Sequence, residues 1–169
     1  MVDIDEDALE EEANQVEAAL MDPKTSAAVI SKLGRTHMEC EEQCQLCEYL
    51  REGSGISILD DVAGHINCPD GLLDDICSWA FDVGSNRIID ILLQAVKRPN
   101  LPENWLNFAL DLAWRYQVQF EHDLVYHFIR NIQQGRTLTD EEKARIVYSN
   151  DLESFPSKVE LTEKGFSEL

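Results

Sequence analysis

Apolar residues recur three and four positions apart along most of this chain, the spacing that lines one face of an α-helix. Leu9, Ala13, Val16, Ala19 and Leu20 follow it and predict a first helix from about Asp7 to Met21, stopped by Pro23. Thr25 or Ser26 can cap a short helix running to Leu33. The next segment reads as one helix from Thr36 to Arg51, ending at Gly53-Ser54-Gly55. Ile58–Ile66 and Leu72–Phe81 follow, separated by Cys68-Pro69-Asp70-Gly71 and closed by Gly84. Ile88, Ile89, Leu92, Leu93 and Val96 make Asn86–Lys97 strongly amphipathic. Beyond Pro99 and Pro102 the pattern predicts Glu103–Tyr116, Phe120–Gln134 before Gly135, and Thr139–Asn150. No segment alternates with a period of two. The expectation is an all-α protein, a short solenoid-like stack or irregular bundle of about 7–9 helices.

The helices repeat. Cys68-Pro69-Asp70-Gly71-Leu72-Leu73 aligns with Leu101-Pro102-Glu103-Asn104-Trp105-Leu106, and Ile76, Cys77, Ala80 and Phe81 then fall on Ala109, Leu110, Ala113 and Trp114. Upstream, Leu59-Asp60 falls on Ile89-Asp90 with a slightly shorter offset. In period and content these helical pairs resemble the HEAT and armadillo class of α-solenoids. That resemblance implies a helical-repeat domain over 25–150. Residues 1–24 precede it as an acidic helix or arm, and 151–169 follow as a tail packed on the domain or partly disordered.

Charge changes this picture. The 33 acidic and 14 basic residues give a formal charge of −19. Residues 1–82 hold 20 acids and 4 bases, a net of −16, whereas 83–169 hold 13 and 10, a net of −3. A phosphate-binding surface needs the opposite sign, so direct nucleic-acid binding is excluded. The unevenness points to a local acidic face. Glu41, Glu42, Glu48, Asp60, Asp61, Asp70, Asp74 and Asp75 are the acids expected on it, with Trp105 as an aromatic anchor. Such a face suits a non-catalytic binding module: an inhibitor or adaptor docking on a basic protein surface, such as a nuclease or nucleic-acid-handling complex. An immunity protein or nucleic-acid mimic would have this character. Adjacent carboxylates on outer helix faces read as solvated charge rather than an acid–base pair, and no enzyme motif is present.

The cysteines are Cys40, Cys44, Cys47, Cys68 and Cys77. An odd number in helical context, without a signal peptide or an apolar run long enough to span a membrane, points to a reduced cytoplasmic protein. Cys40-Glu41-Glu42-Gln43-Cys44-Gln45-Leu46-Cys47 is the sharpest local pattern. Its spacing is similar to that of radical S-adenosylmethionine enzymes, but those cysteines sit on a loop of an α/β barrel, for which this chain offers no strands. On one continuous helix the three sulfurs share a stripe with His37 and read as small buried residues, with no cofactor. The alternative is a metal- or redox-responsive regulator built on the Cys40, Cys44 and Cys47 stripe; one straight helix does not bring all three to a single ion, so two of these thiols would hold zinc or an iron–sulfur cluster together with His37, His65 or Cys68 from a neighbouring helix. His122 and His127, five apart on one helix, are not spaced as a metal pair. In the tail, Leu161-Thr162-Glu163-Lys164-Gly165 resembles the end of a winged-helix wing, against which the net charge argues.

Overall fold

The computed structural model describes residues 6–110, 124–137 and 139–140. They form eight helices, with no strand among the described residues. These are α1 (Glu6–Met21), α2 (Ala27–Glu39), α3 (Gln45–Gly53), α4 (Ile58–Gly64), α5 (Asp70–Val83), α6 (Ser85–Ala95), α7 (103–110) and α8 (Leu124–Gly135). The chain is therefore all-α, as its hydrophobic period requires. None of the described helices is long and apolar enough to cross a membrane. Contacts divide the chain into two compact units, Met1–Ala95 and Val96–Leu169. His122, Trp114, the segment after Asp140 and the tail string Leu161–Gly165 lie outside the described residues.

In the first unit α4 lies against α2 and α6, and α5 packs on the same two helices. The interface is built from the predicted apolar stripes. Leu59, Val62 and Ala63 of α4, Leu73, Ile76 and Ala80 of α5, and Ile91, Leu92 and Ala95 of α6 are wholly buried. Each large side chain among them contributes about 1.5–3 kcal/mol through apolar area removed from water. α1 covers α2, α3 and α4 through Ala13, Val16 and Leu20. In the second unit Leu106 and Ala109 of α7 and Phe128 and Ile132 of α8 are buried.

The helix expected to run unbroken from Thr36 to Arg51 does not exist. α2 starts earlier, capped by Ser26, whose hydroxyl accepts from the Val29 N–H at 3.4 Å, and continues to Glu39. The chain then turns through Cys40–Cys44 before α3. Glu41 and Glu42 adopt positive φ angles of 51° and 55°, which no α-helix admits. The turn is closed by backbone bonds from Glu42 N to His37 O at 3.1 Å and from Gln43 N to Cys40 O at 2.9 Å.

Candidate metal centre

That turn determines where the thiols go. His37 lies in the last turn of α2, Cys40 is its C-cap, Cys44 is the N-cap of α3, and Cys47 follows in the first turn of α3. The sulfurs therefore leave the single stripe expected of them and converge with the His37 ring. The four ligand atoms lie within 4.8 Å of one another. His37 Nδ1 is 3.1 Å from the Cys47 sulfur, 3.7 Å from that of Cys40 and 3.8 Å from that of Cys44. Cys47 Sγ lies 3.3 Å from Cys44 Sγ and 4.0 Å from Cys40 Sγ.

A tetrahedral zinc with bonds of about 2.0–2.3 Å has donor–donor edges of roughly 3.5–3.8 Å. Five of the six edges here, at 3.1 to 4.0 Å, scatter around that range. An iron–sulfur cluster spreads its protein ligands over several irons, so donors this close fit one ion. The spacing His-x2-Cys-x3-Cys-x2-Cys supplies a three-thiolate, one-imidazole set, a common structural zinc combination.

The surroundings favour the ligating forms of His37 and Cys40 and oppose that of Cys47. Burial pushes His37 below its ordinary pKa, against the opposing charges of Glu42 and Glu12, so the ring is held neutral. Burial raises the Cys40 thiol, but hydrogen bonds from Cys44 and Cys47 outweigh this and bring it below its usual value. Cys47 is raised, by burial first and then by Cys44 and Cys40 beside it. Three sulfurs this close do not all ionise without a cation among them, and a divalent ion supplies it.

Other candidates fall elsewhere. His65 is buried, but its ring is engaged: Nδ1 accepts from Asn67 N–H at 3.1 Å and Nε2 lies 3.0 Å from the Asp22 carbonyl. Cys68 is buried with its sulfur 3.7 Å from the Pro69 carbonyl. Neither belongs to the four-donor group. Cys77 is a core residue of α5.

The expected acidic face divides in two. Glu41, Glu48, Asp70, Asp74 and Asp75 are exposed, and Asp75 lies 3.7 Å from the equally exposed Arg35. Asp61 is half-buried. Glu42 and Asp60 point inward, with side chains 11% and 16% exposed, and both pair with Arg87 of α6, at 2.8 and 2.5 Å. The Arg87 guanidinium also stacks 5.5 Å from the Trp79 ring centroid. Burial raises Asp60 to about 6, against the pull of Arg87. Trp105, in the second unit, is half-buried with its ring edge-on to Phe108 at 5.7 Å. Sequence reasoning did not foresee Arg87, because a lone arginine on an amphipathic helix gives no sign of burial.

No protein-family model, curated protein or solved structure matches this chain.

Proposed function

We propose that this chain is a zinc-stabilised, non-catalytic binding domain. The observation that carries the zinc reading is the convergence of His37, Cys40, Cys44 and Cys47 on one point at near-tetrahedral spacing. Four protein ligands fill the coordination sphere and leave no open position for substrate, so the metal's role is structural. It would clamp the end of α2 to the start of α3. Zinc content per chain, measured on untagged full-length protein by inductively coupled plasma mass spectrometry, tests this. One equivalent, with loss of thermal stability on chelation, is expected. A metal-free chain that takes up no added zinc overturns it.

The binding role rests on charge. Glu41, Glu48, Asp70, Asp74 and Asp75 remain solvent-facing, and their field suits a basic protein surface rather than nucleic acid. Beside Glu41 lies a cleft of about 470 Å³ whose lining mixes Glu42, Asp60 and Asp90 with Arg51 and Arg87. An inhibitor or adaptor for a nucleic-acid-handling protein fits that chemistry. Affinity capture over a salt series tests it. Binding should weaken with salt and be lost in the Asp74→Lys/Asp75→Lys variant; retention by that variant contradicts the role.

A further inference from the structure

We infer that Glu42 is a positioning residue for the metal loop, and that its pairing with Arg87 ties metal affinity to the packing of α4 and α6; this rests on the zinc reading above. Glu41 and Glu42 are consecutive residues in the left-handed region, inside the segment that joins two ligands. Each such residue is disfavoured unless its surroundings hold it there. Their side chains differ sharply. Glu41 is exposed, and its side chain has no partner among the described residues. The Glu42 carboxylate accepts from the Ser57 hydroxyl at 2.9 Å and the Leu59 N–H at 3.4 Å, and pairs with Arg87 at 2.8 Å. Its carbonyl accepts from Arg51 at 3.0 Å.

Ser57 is the N-cap of α4 but makes no side-chain cap bond. Glu42 caps the helix in its place, by a carboxylate reaching in from the metal loop. The loop is thus fastened at its centre to α4 and α6, while its two ends carry the ligands. Whatever holds the loop in its four-donor shape raises metal affinity, and by linkage the metal strengthens the Glu42–Arg87 contact to the same extent.

Glu41 supplies the internal control, since Glu41→Asn and Glu42→Asn each remove one negative charge from the same loop at a position where asparagine tolerates positive φ. Zinc affinity is measured on full-length protein by competition with a chromophoric chelator. Glu42→Asn should bind about ten- to a hundredfold more weakly than Glu41→Asn, the range seen for supporting residues around metal ligands. Arg87→Met should weaken binding to a similar degree, and combining it with Glu42→Asn should add little. Glu42→Gln, which keeps the acceptor but not the charge, should fall between wild type and Glu42→Asn even if the asparagine variant folds poorly. Equal affinities of Glu41→Asn and Glu42→Asn, or full additivity with Arg87→Met, overturn the inference while the zinc site stands. A wild-type chain that binds no zinc overturns both.

Discussion

Replacing Arg87 by methionine tests the electrostatics of the first unit. Methionine keeps most of the stem but removes the guanidinium from between Glu42 and Asp60, whose side chains are 11% and 16% exposed. At an effective dielectric near 20 each contact charge pair is worth about 4 kcal/mol gross, and desolvation cancels much of it. Breaking a buried pair by removing one partner costs about 3–5 kcal/mol, because the other charges stay buried. That is the expected loss near neutral pH, read by urea unfolding with zinc saturating. The loss should also depend on pH. Asp60 is raised to about 6 by burial even with Arg87 beside it. A carboxyl whose folded pKa is raised contributes stability in full below its unfolded value, and loses it as pH rises through the folded value. Without Arg87 the Asp60 value rises further, so the variant protonates Asp60 earlier on acidification. The deficit should therefore shrink as pH falls from about 8 to about 6. A deficit below about 1 kcal/mol, or one that grows on acidification, would refute a buried ion pair here.

Three further outcomes follow. His65→Ala should cost about 1–3 kcal/mol by unpairing groups at Asp22 and Asn67, yet leave zinc content unchanged; zinc loss would make His65 a ligand after all. Gly64→Ala should destabilise by about 1–3 kcal/mol, since the added methyl would meet the Gln94 oxygen at 3.0 Å, which belongs to the α6 backbone and not to the end of a side chain. Gly34→Ala, whose new contacts at 3.0 to 3.2 Å are the ends of Leu72 and Val62 side chains, should stay within about 1 kcal/mol of wild type, helped by helix propensity; thermal melts separate the two.

The helices were readable from the chain because their apolar stripes repeat without interruption. Pro23, Pro69 and Gly84 mark the ends of α1, α5 and their neighbours, and the predicted spans around them lie within a few residues of those observed. The break at Cys40–Cys44 was not readable by the same logic. It contains neither glycine nor proline, and Glu41 and Glu42 are ordinary helix formers that tertiary bonds force into the left-handed region. A continuous helix keeps the three cysteines on one stripe, from which they do not all reach one ion, so a metal reading of the sequence has to borrow ligands from a neighbouring helix. Four soft ligands within eleven residues, from His37 to Cys47, were the available signal. Burial of Glu42 and Asp60 was hidden for a related reason, since it depends on Arg87, distant in sequence and brought near only by the packing of α4 against α6.

Cobalt(II) titration of the metal-free, reduced full-length chain tests the central claim most directly. The account predicts saturation at one cobalt per chain, with tetrahedral d–d bands and sulfur-to-cobalt charge transfer corresponding to three thiolates. The charge-transfer intensity should fall in Cys40→Ser, Cys44→Ser and Cys47→Ser and persist in Cys68→Ser and Cys77→Ser. An octahedral spectrum, or charge transfer that depends on Cys68 or Cys77, would contradict it.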